Sequence, residues 1–237
     1  MISMPAQLAS LVATLRRLPL FTDLSETELA LIARHVTTHR YDPGAIIFSE
    51  GDSCRELFLV QEGSVRLFKT ADNGRQQLLG IERTGNSLAE IPIFDDDTHP
   101  ATAQAECVTI LLRLDAKVFR AFCLQQPEVA LKVIKVLAHR LRRMGNLVEE
   151  LSFVTVRGRL IAHLLQLARE NGRSTGHGFE FELVENNEEL ATRLGTVREL
   201  ISRNLGRLHN EKLIEIHRRT VRIYDCEALQ AEIKRGL

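Results

Sequence analysis

The spacing of apolar and polar positions changes along the chain. From Pro5 to Leu18, apolar residues recur at Leu8, Leu11, Val12, Leu15 and Leu18, as in a helix with one apolar stripe. Ser25 and Glu28 stand three apart, the spacing of a capping box, and open a second helix with Leu29, Ile32, Ala33 and Val36 on one side. From Arg40 to Leu114 the period shortens to two. AIIF, ELFLV, SVRLF, QQLLGI and VTILLRL are short runs separated by Gly44, Gly51, Gly63, Gly74 and Gly85. Turns such as Asp42-Pro43-Gly44 and Asp72-Asn73-Gly74 punctuate them at the spacing of an all-β sandwich or barrel. A rolled-up β domain is expected.

Between Pro127 and Phe153 the helical period returns. Ile134, Leu137, Leu141, Met144, Val148 and Leu151 are spaced three, four, three, four, three, a coiled-coil seam. Val129, Val133 and Val136 form a second stripe beside it. Two stripes on one helix predict packing on the β domain on one side and a partner helix on the other, hence a parallel homodimer with the six seam residues at its interface. Gly145 lies inside this helix, where glycine costs about 1 kcal/mol relative to alanine. It marks either close packing of helix on β domain, or an apolar pocket or soft spot where two arrangements of the helix compete.

Beyond the seam, Val156 to Arg169 carries Leu160, Ile161, Leu164, Leu165 and Ala168 on one face. Asn171 to Gly178 reads as an exposed glycine-rich loop, and Phe179, Phe181 and Leu183 alternate with glutamates as a strand. Two short helices then meet at Gly195, which supplies the positive φ of a tight turn, while Ala191 is small enough for a close crossing. Asn186 with Glu189, and Thr196 with Glu199, have capping-box spacing. Projected at about 100° per residue, Leu200, Ile201, Leu205 and Leu208 fill one arc of the second helix, and Arg198, Glu199, Ser202 and Arg203 the opposite one.

That polar arc holds the side-chain types that read base edges. Arginine donates twice to guanine, a carboxylate accepts from cytosine, and serine serves either. Val197 can lie against a thymine methyl, and Thr196 stands at the helix entrance. LIEI and VRIY flank His217 to Thr220 as a hairpin with Arg218 and Arg219 at its tip, a wing for phosphates. One such helix alone would be an ordinary solvated amphipathic helix. Paired caps, turn glycine, polar arc and basic hairpin in this order indicate a winged helix-turn-helix. Asn204 projects into the apolar arc and needs a hydrogen-bond partner if buried.

Charge sharpens this picture. The net charge is zero, yet Phe21 to Asp115 has 16 acidic and 8 basic residues and Thr192 to Tyr224 has 8 basic and 3 acidic. One end of the molecule is therefore suited to double-stranded DNA. The absence of Trp and the presence of only 2 Tyr argue against a stacking platform for single strands. No apolar run approaches the roughly 20 residues of a membrane helix. Arg16 and Arg17 follow the first apolar stretch, unlike the layout of a secretory signal. Cys54, Cys107, Cys123 and Cys226 have no CxxC or framework spacing, so a cytoplasmic location is expected.

Little here suggests an enzyme or a metal. His99 stands alone, whereas metal-dependent enzymes built on such rolls cluster their histidines. His35 and His39 have ligand spacing only if one helix continues through both, and a helix C-terminus favours His on dipole grounds alone. Asp95, Asp96 and Asp97 beside His99 suit a solvated loop or a cation.

The run YDPGAIIFSEGDSCRELFLVQEGSVRLFK, the glycine-bounded cassette after it, the long helix and the winged unit together resemble the CRP/FNR superfamily of bacterial transcription regulators, from about Leu18 to the C-terminus. The resemblance implies an α+β chain. Residues 1–126 would form a double-stranded β-helix, a jelly-roll sensor domain of cyclic-nucleotide-binding type. Residues 127–153 would form the dimerisation helix, and residues 154–237 the winged helix-turn-helix, with the helix-turn-helix itself at 187–206. It implies a regulator that binds a two-fold symmetric operator as a homodimer, under control of an effector sensed in the roll. A loop near Asn171 to Gly178 would touch RNA polymerase. In the family an Arg-Glu pair with a later Arg reads one half-site, and a Glu, Ser, Arg set reads a related one. Arg198-Glu199 and Ser202-Arg203 carry both, giving TTGA- or TGTGA-like halves.

The cassette departs from the cyclic-AMP-binding members. Those have a Gly-Glu pair and, about ten residues later, an Arg followed by Ser or Thr for the phosphate. Here the matching residues are Leu88-Ala89-Glu90 and Pro100-Ala101-Thr102. A buried phosphate without a cation is costly, which argues against cyclic AMP. No cysteine precedes Cys54, which argues against an iron-sulfur cluster. ATAQA is similar to branches that respond to nitric oxide or other gases, several through haem, for which His99, His139, His35 and His39 are the axial-ligand candidates. An effector pocket is expected at Leu88, Glu90, Pro100, Ala101, Leu137, Leu141 and Met144, the last at the level where cyclic-AMP members place Thr and Ser. Two rivals are a regulator without an effector, and a cyclic-nucleotide-type module acting on a protein partner.

Overall fold

ELFLV and TILLRL are continuous apolar runs because the strands they form are buried on both faces. In the computed structural model, which describes residues 6–176 and 178–235, Leu57 and Leu59 pack with Leu112 and Leu114 on one side of their sheet. Phe58, Val60 and Leu111 point to the other side. Pro5, expected to open the first helix, lies outside the described residues.

The order begins with α1 (Ala6–Arg16) and α2 (Glu26–Ala33). The Ser25 hydroxyl accepts from the Glu28 amide, and the Glu28 carboxylate accepts from the Ser25 amide, so this capping box is formed. The helix ends at Ala33 and Val36 already begins β1 (Val36–Tyr41). His35 and His39 therefore lie in a turn and on a strand, and the helical metal spacing does not exist. The roll continues as β2 (Ile46–Phe48), β3 (Glu56–Glu62), β4 (Ser64–Thr70), β5 (Gln76–Arg83), β6 (Ser87–Leu88), α3 (Glu90–Asp95), β7 (Thr102–Ala105) and β8 (Thr109–Asp115). Two four-stranded sheets result, ordered β1-β8-β3-β6 and β2-β7-β4-β5.

One core of the roll lies between these sheets, around Phe48, Phe58, Val65 and Ala103. The other lies under the helices, where Leu15, Phe21, Leu29 and Ile32 meet Leu57, Leu114 and Phe119. Gly63, at φ 94°, makes the β3–β4 turn, and a Cβ there would stand 2.7 Å from the Val108 carbonyl oxygen. Only glycine fits.

After α4 (Ala116–Gln125), Pro127 starts α5 (Pro127–Phe153). Its inner stripe is buried in the helix-side core, with Val129 0% and Val133 3% exposed. The seam row is open: Ile134 is 59%, Leu141 75% and Val148 64% exposed. Among the described residues, a Cβ at Gly145 would meet nothing within 4 Å beyond its chain neighbours and its own helix backbone.

Contacts divide the chain into two units, Met1–Lys69 with Leu79–Arg143, and Thr70–Leu78 with Met144–Leu237. The second contains α6 (Val156–Asn171), β9 (Arg173–Ser174), β10 (Phe179–Glu182), α7 (Asn187–Leu194), α8 (Arg198–Asn210), β11 (Ile214–His217), β12 (Thr220–Ile223) and α9 (Cys226–Arg235). Its sheet runs β11-β12-β10-β9. The stretch expected to be a plain loop after α6 instead pairs Ser174 with Phe179 and Arg173 with Glu180. The core joins Leu160, Ile161 and Leu164 to Leu190, Ile201, Leu208 and Val221. Among the described residues, no helix is long and apolar enough to cross a membrane.

Candidate nucleic-acid interface and effector cavity

The expected cap at the start of α7 is formed: Asn186 Oδ1 accepts from the Glu188 and Glu189 amides at 2.9 and 3.0 Å, and Glu189 returns to the Asn186 amide at 2.8 Å. Gly195 ends the helix in the left-handed conformation at φ 62°. The second box is not formed. Val197 is the N-cap of α8 and makes no side-chain cap, which leaves Glu199 one position too early to return to it. Thr196 is buried at 7% exposure. Glu199 is consequently free of a capping role.

Arg198, Glu199, Ser202 and Arg203 are all exposed, opposite buried Ile201, Leu205 and Leu208; Leu200 and Val197 are half-buried. Asn204 is buried, and its Nδ2 donates to the Leu200 carbonyl at 2.8 Å, one turn back in its own helix. At the wing, Arg218 and Arg219 form the β11–β12 turn, with Arg218 left-handed at φ 56°. A non-glycine residue held there costs on the order of 1 kcal/mol or more. Arg198, Arg218 and Arg219 border one cleft of about 510 Å³ with Asn186, Asn187 and Glu188.

Beneath this face lies a polar layer that the sequence did not reveal. Glu185, just before the α7 cap, accepts from His163 Nε2 at 2.6 Å and from Arg193 Nε. Burial alone would raise its pKa, but His163 and Arg193 hold the carboxyl below the usual range. Arg159, 6% exposed, donates from Nε to the Leu194 carbonyl at 2.9 Å and from Nη1 to the Val154 carbonyl at 2.5 Å.

In the first unit, Glu90 opens α3 and is fully buried. It accepts from the Ser87 hydroxyl and from Arg140, which also donates to the Ser87 carbonyl. Glu82, 4% exposed, accepts from Arg143 at 2.7 Å and from Asn86 at 2.8 Å, and stands 3.5 Å from Arg140 Nε. The Arg143 guanidinium lies so close over Gly80 that a Cβ there would come within 2.6 Å of Cζ. Beside these pairs is a cavity of about 380 Å³, lined by Glu82, Asn86, Ser87, Val136, His139 and Arg140 among others.

None of the seven residues expected to form an effector pocket lines this cavity. Leu88 and Ala101 are buried in the roll, Glu90 is sealed behind Arg140, and Pro100 is exposed. Leu137 packs on the helix-side core, Met144 is half-buried, and Leu141 faces outward. Arg140 and Arg143 were not singled out from the sequence. They extend the inner stripe of Val129, Val133 and Val136 by four and three residues, and that continuation was the available signal.

Of the four histidines considered as ligands, His139 lines the cavity. His99 is 3% exposed and lies flat on Phe48 with ring centroids 3.8 Å apart, and burial pushes its pKa down. His39 meets Thr37 Oγ1 at 3.1 Å. Among the described residues no three His, Cys, Asp or Glu converge as a metal site. Asp96 is ion-paired with Arg120, and Asp97 accepts from the Thr98 amide. All four cysteines are free thiols.

Residues 38–126 match the cyclic nucleotide-binding domain family, and residues 158–232 the Crp-like helix-turn-helix domain family. The chain is 34% identical over 219 residues to the cyclic AMP receptor protein of Thermus thermophilus, covering 92% of this chain and 98% of that one. It is 29% identical over 217 residues to a CRP-like cAMP-activated global transcriptional regulator of Mycobacterium tuberculosis, covering 91% and 96%. Among solved structures, a protein of Eubacterium rectale described as a transcriptional regulator of the crp/fnr family aligns with a TM-score of 0.75 at 25% identity, over 91% of this chain and 99% of that one. The roll, the long helix and the helix-turn-helix are those of these proteins, and the chain belongs to the CRP/FNR superfamily of transcription regulators, which are not enzymes.

Proposed function

We propose that the protein works as a homodimer that reads a two-fold symmetric DNA site, with residues 1–126 as sensor, 127–153 as dimerisation helix and 154–237 as DNA-reading domain. The observation that carries this is the row Arg198, Glu199, Ser202 and Arg203. These side chains are exposed and make no hydrogen bond or ion pair among the described residues. Unpaired groups of the base-reading type on one face of a helix suit the major groove, and Arg218 and Arg219 beside them suit phosphates. Thr196 is buried and supports α8 from its entrance. The seam expected at Ile134, Leu137, Leu141, Met144, Val148 and Leu151 leaves Ile134, Leu141, Val148 and Leu151 exposed while Leu137 and Met144 are half-buried, and its open row supports parallel pairing, which sets two reading helices about one DNA turn apart.

Two relatives are named for cyclic AMP, but the residues here support a different effector. Glu90 already has two donors, Glu82 has its own arginine, and Pro100-Ala101-Thr102 offers no cation. Among the described residues, the charges of the cavity's arginines are matched by carboxylates, so a cyclic phosphate would enter without an unpaired cation. Effector binding in the roll, by a small molecule or gas, shifts the dimer between geometries of different DNA affinity. Contact with RNA polymerase in the cytoplasm completes the reading.

The test is selection of binding sites from a random duplex pool by the purified full chain. Enrichment of a dyad with TTGA- or TGTGA-like halves is expected. A pool that binds without enrichment removes the assignment of α8.

A further inference from the structure

Arg159 is a buried cation for which base reading, as described, has no use. Two carbonyls among its partners are informative. Leu194 is the last residue of α7, where helix carbonyls lack partners of their own. Val154 lies in the break between the end of α5 at Phe153 and the start of α6 at Val156. A guanidinium is planar, with donors in fixed directions, so one that holds two carbonyls fixes their separation and orientation. The residues after Leu194 are Gly195, Thr196 and Val197, the N-cap of α8. One turn further along α6, His163 holds Glu185 in front of the α7 cap. α6 thereby grips both flanks of α7.

We propose that Arg159 is a positioning residue that couples the α5–α6 junction to the turn that starts the reading helix. A change of backbone at Val154 is passed through one guanidinium to Leu194, and from there across three residues to the first turn of α8. The inference rests on α8 as the reading helix, and the test keeps the two separable. Arg159→Lys retains the charge and most of the stem, but a single ammonium cannot hold both carbonyls in one plane.

The experiment uses the full chain. Dissociation constants for the selected dyad and for random-sequence duplex are measured by fluorescence anisotropy for the unchanged protein, Arg159→Lys, Val154→Gly and the double variant. Arg159→Lys is expected to weaken dyad binding by roughly fivefold or more, with random-duplex binding within about twofold because phosphate neutralisation is untouched. Val154→Gly is expected to weaken dyad binding only while Arg159 is present, so the two effects do not add. Equal losses on both duplexes, no loss, or additive effects overturn the coupling.

A readout without DNA guards against a misfolded lysine variant. With Arg159 intact, Val154→Gly should speed hydrogen exchange at the Gly195 and Thr196 amides, and unchanged exchange there overturns the proposal. If the unchanged protein selects no dyad, the reading helix assignment fails, while the exchange experiment still decides the coupling.

Discussion

Arg140 on α5 donates to Glu90, a carboxylate with no exposed surface at the start of α3. Their separation in sequence is 50 residues. Such a pair does little for net stability compared with apolar packing, but losing one member leaves a buried charge uncompensated. Arg140→Ala should therefore destabilise the chain by about 3 kcal/mol. The double change Arg140→Met with Glu90→Leu should recover most of that loss. Urea unfolding of the three proteins checks both; a double variant no better than the single would mean that Glu90 is not the source of the cost.

The same pair shows where the sequence was legible. β3 and β8 were readable because their apolar runs are local, and so were the Ser25 and Asn186 caps, each a three-residue relation. Thr196 with Glu199 had the same spacing and failed, because the left-handed turn at Gly195 puts Val197 at the cap and turns Thr196 inward. His35 and His39 had ligand spacing for a helix that stops at Ala33. Arg140 and Arg143 continue the spacing of the inner stripe, which places them on its face, but their partners, like those of Arg159, are far away in sequence or are backbone carbonyls, and no spacing identifies those. The candidate DNA surface was legible because it is one face of one helix; the cavity was not, because its walls come from three stretches far apart in the chain, Pro19-Leu20, Glu82 to Ser87 and one face of α5.

Replacing Arg203 by Ala should cost roughly 1 to 3 kcal/mol at the selected site and relax base preference at one position in each half. Arg218→Ala should weaken all duplexes alike and reduce the slope of log affinity against log salt. Anisotropy titrations over a salt series separate the two; an Arg203 variant that loses random-duplex binding equally would mark it as a phosphate contact.

Glu185 gives the DNA-reading unit an acid limit. Desolvation opposes ionisation, but its hydrogen bonds and charges with His163 and Arg193 outweigh that and hold the pKa below the ordinary carboxylate value. A carboxyl with a depressed folded pKa contributes stability in full above its unfolded value, and that contribution is lost as pH falls through the folded value. Between pH 5 and lower values the unchanged protein should therefore lose stability more steeply than Glu185→Gln, which has no proton to take up there. Thermal melts across an acid series measure the difference, and parallel curves would assign the acid sensitivity elsewhere.

The two stripes of α5 make opposite predictions at the same cost of one side chain. Val133 is buried in the helix-side core, so Val133→Ala should lower stability by about 1 to 3 kcal/mol and leave association unchanged. Leu141 is 75% exposed in a single chain, and Leu141→Glu should leave the folding of the roll nearly intact. If the seam pairs two chains, that glutamate meets its own copy across the dyad, and two like charges facing each other in an apolar interface are strongly unfavourable. Sedimentation velocity should then show a monomer for Leu141→Glu where the unchanged protein is a dimer. Binding to the full dyad should fall to the level of a single half-site, because the second reading helix is no longer delivered with the first. A Leu141→Glu protein that stays dimeric would place the partner surface on another face and leave the exposed row of Ile134, Leu141 and Val148 without its assigned role.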